Sequence, residues 1–456
     1  MTTTRKLLTA AGMAMLPAAI ACGSSKTPAS KPNILFILVD DLGLGDLSCQ
    51  YAEDLRTPNI DRIFETGVRL DNFYAGSNVS SPSRAALMTG RFPDMVGVPG
   101  VIRTRPEQNW GYLTPGVVTL PQMLGSAGYS TALIGKWHLG LESPNLPNEK
   151  GFDHFHGFLG DMMDDYYTHR REGHNYMYLN GAQIDPEGHA TDLFTEWGAE
   201  YIKGQASSDS PFFLYLAYNA PHAPLQPPAG WLEKVLSAHP GIPEKRAKLV
   251  ALIEHLDYSI GKIMDALEKS GQKNNTLVIF ASDNGGDRGS MANNGPVRGN
   301  KGDMYEGGIH VPCALNMPGR YEGGVRNGSL VTMMDFLPTL CDMLGIEVSQ
   351  EIDGISVLDA LEGKGQDTEN RFLFWVRNES GAGFCGKSQS AARYGTYKLV
   401  QNMPFEAMQM FNLADDPDES SPLEMKGPEF SRLQKALTEH YRNWGSVPFQ
   451  KKQDQL

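Results

Sequence analysis

Four apolar runs, each stopping abruptly at polar or charged residues, constrain this chain more than any other feature. Asn33 to Val39 reads NILFILV and ends at the carboxylates Asp40 and Asp41. Such a run fits a parallel strand buried on both faces, because a half-exposed strand would alternate apolar with polar residues. The same grammar recurs at Thr131 to Ile134 before Gly135-Lys136-Trp137-His138, at Phe212 to Tyr218 before Pro221-His222, and at Thr276 to Ala281 before Ser282-Asp283-Asn284-Gly285-Gly286. Helical spacing lies between the runs. It is clearest from Lys245 to Leu267, where Leu249, Leu252, Ile253, Leu256, Ile260, Ile263, Met264 and Leu267 share one face, and a further helix is expected over Val331 to Leu344. Strands alternating with helices predict an α/β domain with a mixed, mainly parallel sheet covered on both faces. In such sheets ligands bind beyond the carboxyl ends of the strands, where the polar residues just named fall.

The pattern changes after about residue 365. Short apolar stretches at Phe372 to Val376, Tyr397 to Val400 and Met410 to Leu413 precede a helical stretch from Pro428 to about Trp444, which predicts a small α+β subdomain with an antiparallel sheet. The expected organisation is therefore a main α/β domain over 32–365 and a C-terminal subdomain over 366–456. Asp161 to Glu187, rich in Asp, Tyr, His, Arg and Gly, reads as an irregular insertion near the site.

At the amino end Arg5 and Lys6 precede the apolar stretch Leu7 to Ile20, too short to span a bilayer comfortably and typical of a secretory leader. It ends Ala19-Ile20-Ala21-Cys22-Gly23, which resembles a bacterial lipobox, and a Ser/Lys/Pro-rich tether of the kind a surface anchor needs follows to Lys31. Residues 1–22 are thus expected to be a signal peptide and 23–31 a linker, giving an exported lipoprotein of the periplasm or outer membrane. Cleavage of the Ala-x-Ala type, with Cys22 an ordinary residue, is the alternative. Cys49, Cys313, Cys341 and Cys385 show no CxxC spacing, which argues against a zinc or thioredoxin-type site. A formal net charge of −13 disfavours nucleic acid and requires any anion-binding site to be locally basic.

Ser80-Ser81-Pro82-Ser83-Arg84-Ala85-Ala86-Leu87-Met88-Thr89-Gly90-Arg91 has the form of a helix start and stop, with serines and a proline in the first turn and a glycine at the end. Read bare, each serine here is a cap. The segment also resembles the signature of the serine-type, formylglycine-dependent sulfatases of the alkaline phosphatase superfamily, in which the first residue of [C/S]-x-P-S-R is oxidised. The resemblance continues through Val39-Asp40-Asp41, Gly135 to Gly140, Pro221-His222-Ala223-Pro224, Ser282 to Gly285, Gly299-Asn300-Lys301-Gly302, Tyr305-Glu306-Gly307-Gly308, Asp335 to Thr339 and Leu413 to Pro417. It spans nearly the whole mature chain.

From the residues alone, Asp40, Asp41, Asp283 and Asn284 are hard oxygen donors from two strand ends and suit calcium or magnesium better than zinc. The resemblance implies that they bind one Ca2+ ion, with Mg2+ as the substitute, and that Ser80 becomes formylglycine (3-oxoalanine) beside it. It implies a geminal diol on that residue, one hydroxyl attacking sulfur and the other later expelling sulfate. Arg84 would hold the diol, His138 would orient it or take its proton, and Lys136, His222 and Lys301 would bind sulfate oxygens or protonate the leaving group. Which histidine is the acid stays open. Carboxylates and aromatics suit sugar hydroxyls and ring faces, which makes Asp161 to Arg171, with Asp164, Asp165, Tyr166, Tyr167, His169 and Arg170, the candidate segment for the rest of the substrate.

The implied activity is hydrolysis of a sulfate ester on a carbohydrate. The implied partners are a sulfated saccharide and a serine-type maturating enzyme. Two other functions remain: a phosphate or phosphonate ester hydrolase of the same superfamily, and a non-catalytic lipoprotein that captures sulfated glycan.

Overall fold

The computed structural model describes residues 1–2, 31–105, 108–379 and 387–448. Cys22, most of the leader and most of the linker lie outside them, as does Cys385. Contacts group Met1–Lys31 into one unit and Pro32–Leu456 into another.

The Asn33–Val39 run is the centre of a ten-stranded sheet. It pairs in parallel with Phe212–Ala217 on one side and Thr276–Ser282 on the other. Ser130–Lys136 and His154–Phe158 continue the parallel set. The flanks pair mainly antiparallel: Cys313–Asn316 and Val68–Leu70 beyond Thr276–Ser282, with Val325–Asn327 parallel to Val68–Leu70 at the outer edge, and Met177–Leu179 and Ala182–Gln183 on the opposite side. Two of these edge strands come from the Asp161 to Glu187 stretch expected to be irregular, so part of that insertion extends the main sheet.

Because the central strand is buried on both faces, its residues divide between two cores. Ile34, Phe36 and Leu38 pack with Leu87, Leu124 and Phe336, while Leu35, Ile37 and Val39 pack with Ile60, Phe194 and Leu252. The first face is covered by helices Ser80–Thr89, Leu120–Ser126 and Phe336–Leu344, the second by Pro58–Glu65, Ala190–Gln205 and Glu244–Lys269. Val331 and Thr332 form a short strand rather than a helical turn, and a Thr332/Asp335 capping box starts the helical segment behind them.

The C-terminal sheet is a four-stranded antiparallel meander of Phe372–Asn378, Ser388–Tyr394, Tyr397–Gln401 and Gln409–Asn412. One face, with Leu399 and Met410, takes Leu433 and Leu437 of helix Gly427–Trp444. The other, with Trp375, Val400 and Phe411, packs on Tyr74, Ala86 and Ile309 of the main body. Cys49, Cys313 and Cys341 carry free thiols. Among the described residues no helix is long and apolar enough to cross a membrane.

Candidate active site

The strand ends and the Ser80 helix converge. Helix Ser80–Thr89 begins after Val79, an extended residue at the cap position, and closes on Gly90 in the left-handed conformation. Its serines divide the work. Ser83 Oγ accepts from the Gly76 amide and Ser81 Oγ from the Ile102 amide, which pins the neighbouring loops. Ser80 caps nothing; its Oγ lies 2.9 Å from Asp40 Oδ1 and 3.2 Å from Asn284 Oδ1.

Around this hydroxyl the charges interlock. Lys136 Nζ binds Asp40 Oδ2, and Lys301 Nζ lies 2.7 Å from Asp41 Oδ2. Arg84 donates to Asp283 Oδ2 at 2.8 Å and stands 3.7 Å from Asp40. Asn284 Nδ2 donates to Asp41 Oδ1 at 2.8 Å, and His222 Nε2 is 3.6 Å from Asp41 Oδ2. Asp41 and His138 both have positive φ, 67° and 61°, a left-handed conformation uncommon for residues other than glycine and typical of functional turns.

The Tyr305–Gly308 motif fits against the Asp283 turn. The Gly285 amide donates to Gly308 O at 3.0 Å, and a Cβ at Gly285 would lie 1.9 Å from Gly307 O. Only glycine permits that approach. The Lys301 amide donates to Gly286 O, so the same turn also sets the lysine.

Burial would raise the Asp40 carboxyl, but Lys136, His222, Arg84 and Lys301 outweigh it and hold the group well below its ordinary value. Burial and the Asp40 charge push Asp283 up to about 6, the direction a cation would oppose. Burial, then the charges of Lys136 and Arg84, keep His138 well below the usual imidazole range, so it is neutral at physiological pH. Its Nε2 faces Ile102 O at 3.0 Å, and its buried Nδ1 has no hydrogen-bond partner among the described residues. His222 is also lowered, by burial and by Lys301.

The donor set fits a hard divalent cation. One hydroxyl hydrogen on Ser80 cannot satisfy both Asp40 Oδ1 and Asn284 Oδ1, and Asp40, Asp41 and His222 present ligand atoms within 4.8 Å of one another. Carboxylate and amide oxygens from two strand ends suit Ca2+ or Mg2+.

A cleft of about 210 Å³ opens over the hydroxyl, lined by Ser80, His138, His222 and Lys301 and also by Val101, Arg103, Asp161, Met162, Arg171 and Arg377. Asp161 and Arg171 are the two ends of the segment the sequence offers for the substrate, whereas Arg103 and Arg377 were not among the sequence candidates. Asp164, Asp165, His169 and Arg170 are not among the lining residues; their side chains brace the insertion. Asp164 accepts from Arg171, Asp165 from Gln226 and Arg170 donates to Asp185, while buried His169 has its Nε2 3.0 Å from Gly188 O. Arg171, one position beyond Arg170, is the member of that run that reaches the cleft.

This geometry agrees with comparisons to known proteins. The sulfatase family model matches residues 32–346, and a model for the C-terminal region of N-sulphoglucosamine sulphohydrolase matches 300–445. The chain belongs to the sulfatase family, sulfuric ester hydrolases with an alkaline-phosphatase-like fold. It is 33% identical to arylsulfatase J of Mus musculus over 73% of this chain, spanning 56% of that protein's length. It is 28% identical to N-acetylgalactosamine-6-sulfatase of Mus musculus over 90% of this chain and 86% of that one. The crystal structure of Ps i-CgsB in complex with k-i-k-neocarrahexaose superposes with a TM-score of 0.83 at 28% identity, covering 93% of this chain and 96% of that one.

Proposed function

We propose that this sulfatase hydrolyses a sulfate ester on a sulfated glycan, with Ser80, matured to formylglycine, as the reacting residue beside a bound calcium ion. The observation that carries this reading is the Ser80 hydroxyl held between Asp40 and Asn284 at the floor of a cleft that Lys301 and His222 also line. The carrageenan oligosaccharide in the complex of Ps i-CgsB and the name of the N-acetylgalactosamine-6-sulfatase support a saccharide substrate.

A sulfate monoester is an anion whose transferring oxygens and departing alkoxide both need charge stabilisation. When bound, a divalent ion supplies positive charge that lowers the pKa of a neighbouring hydroxyl. Ser80, once oxidised and hydrated, would offer one hydroxyl as the nucleophile towards sulfur and a second whose proton would be taken for release of sulfate. Arg84, fixed by Asp283, steadies that hydrate from the same helix. Lys136 and Lys301 neutralise sulfate oxygens, which lets an acidic protein attract an anion locally. His138 carries a free ring nitrogen, with its tautomer set by Ile102 O, and serves as the base. His222, its Nδ1 2.6 Å from Ala223 O and its Nε2 3.6 Å from Asp41 Oδ2, would give the leaving oxygen a proton from its imidazolium form.

The leader and the lipobox-like Cys22 accord with an exported lipoprotein that acts on extracellular glycan, matured beforehand by a serine-type maturating enzyme. The test is turnover of sulfated saccharides by protein co-produced with such an enzyme. Sulfate release that requires the maturase and is lost on chelation supports the reading; faster turnover of phosphate esters, or none of either class, contradicts it.

A further inference from the structure

Two long helices meet at a histidine cluster that the reaction does not use. His189 is the cap residue of helix Ala190–Gln205, and Asp192 stands in the first turn of that helix. His255 comes from helix Glu244–Lys269. Each of the three presents a ligand atom, and those atoms lie within 4.8 Å of one another. None of the three lines the cleft over Ser80. His189 and His255 are 3% and 2% exposed, whereas the Asp192 side chain is 36% exposed and gives an ion a way in from solvent.

The local bonds leave the cluster short of a partner. His255 Nε2 is 3.1 Å from Asp192 Oδ1, and the two imidazole rings stand 5.0 Å apart, centroid to centroid. A tetrahedral ion with bonds of about 2.0–2.1 Å sets its ligand atoms roughly 3.3 Å apart, so the His255–Asp192 pair already has the spacing of two ligands. The buried Nδ1 of His255 has no hydrogen-bond partner among the described residues, although buried polar atoms ordinarily have one. On His189 the Thr191 amide donates to Nδ1 at 3.2 Å, so Nε2 carries the proton and donates it to Gln226 O at 3.1 Å. The Nδ1 lone pair therefore lies on the helix side, and the Gln226 carbonyl supplies the outer bond that orients a metal-bound imidazole. Burial, then the neighbouring His255, push the His189 imidazole down to about 4. Burial would raise the Asp192 carboxyl, but the hydrogen bond and charge of His255 outweigh it and hold the group below its ordinary value. Neutral imidazole and ionised carboxylate are the forms that bind a metal.

We propose that His189, Asp192 and His255 form a second metal site, built without cysteine, that takes a zinc-class transition-metal ion with water as the fourth ligand. Two nitrogens and one oxygen favour such an ion over Ca2+ or Mg2+, which prefer oxygen throughout. The ion ties the start of helix Ala190–Gln205 to helix Glu244–Lys269. It also braces the loop that carries His222, because Tyr166 stacks on His189 at 4.9 Å and donates its hydroxyl to His222 O at 2.9 Å. Its role is structural, and it touches neither substrate nor Ser80.

The test separates the two metal sites by donor chemistry. The full chain, held in excess Ca2+ to occupy the strand-end oxygens, is titrated with Zn2+ by calorimetry. One equivalent should bind, and Co2+ in its place should give the intense visible bands of a four-coordinate ion. His189→Gln and His255→Gln should each weaken zinc binding at least about 100-fold, the upper end of what loss of an outer-shell partner alone costs. Added Zn2+ should raise the melting temperature of the parent in Ca2+ and leave that of either variant unchanged. If both histidine variants unfold, Asp192→Asn at the exposed edge carries the comparison. Anomalous diffraction at the zinc edge from crystals of the parent needs no variant and should place the ion among the three side chains. No zinc binding in the presence of Ca2+, an ion located elsewhere, or affinity undiminished by the substitutions overturns the proposal. Binding is read without turnover, so the outcome does not depend on maturation of Ser80.

Discussion

Two clusters of buried charge meet at the Tyr305–Gly308 turn, and they differ in what they leave open. In the strand-end cluster Asp40, Asp41 and Asp283 face Arg84, Lys136 and Lys301. In the second, Lys398 Nζ lies 2.7 Å from Glu306 and 2.9 Å from Glu419, with Arg393 against Tyr74, whose hydroxyl donates to Glu306. Both balance opposite charges among residues of low exposure. The second is sealed: the side chains of Lys398 and Glu419 are 0% exposed, and it locks the C-terminal sheet to the main body. The first opens to the cleft through Lys301 and His222, 22% and 14% exposed, and sets two oxygen acceptors on one hydroxyl. Buried charge by itself therefore does not mark a catalytic site; an opening and oxygen acceptors in excess of donors do.

The comparison can be broken at four points. Ser80→Ala should lower turnover of matured enzyme by at least about 10⁴-fold with no loss of melting temperature, because the variant removes the reacting group and fills the same space. His222→Ala should lower kcat by about 10²- to 10⁴-fold, least on substrates with good leaving groups, as removal of a general acid does. Lys398→Met should act the other way. It strands Glu306 and Glu419 beside each other and should cost about 3–5 kcal/mol in chemical denaturation, with kcat within a few-fold of wild type.

The smallest effect concerns pH. Burial and the Glu306 charge push Glu419 up from 4.5 to about 7, while Lys398 and other cations overcome burial to hold Glu306 at about 2. A raised carboxyl favours the folded state when protonated, so the Glu419 contribution is present below pH 4.5 and is lost as pH rises towards 7. The Glu306 contribution is present above pH 4.5 and is lost as pH falls towards 2. Glu419→Gln should flatten the decline in melting temperature between pH 4.5 and 7 and leave the acid limb in place. An unchanged profile would mean that Glu419 is ionised throughout.

The strand ends were legible because fully buried parallel strands write themselves as apolar runs, and the residues after them fall where ligands bind. Lys245 to Leu267 was legible for a similar reason: helical spacing survives in a helix with one buried face. Strand Ser388–Tyr394 left no such trace. Its buried positions include Gln389, Ser390 and Arg393, since this central strand feeds a polar network rather than an apolar core. The short strands Val68–Leu70 and Val325–Asn327, next to and at the sheet's edge, are held by neighbours distant in sequence, and three residues carry no period. The mouth arginines were invisible for a related reason. Arg103 and Arg377 are separated by most of the chain and meet at Glu379.

The central claim is that Ser80 is the reacting residue after oxidation, and the mass of the tryptic peptide Leu70 to Arg84 tests it most directly. The protein should come from its own host or from co-production with a serine-type maturating enzyme. Loss of two hydrogens, located at Ser80 by fragmentation, is the predicted result. An unmodified serine in protein that still releases sulfate would contradict the account.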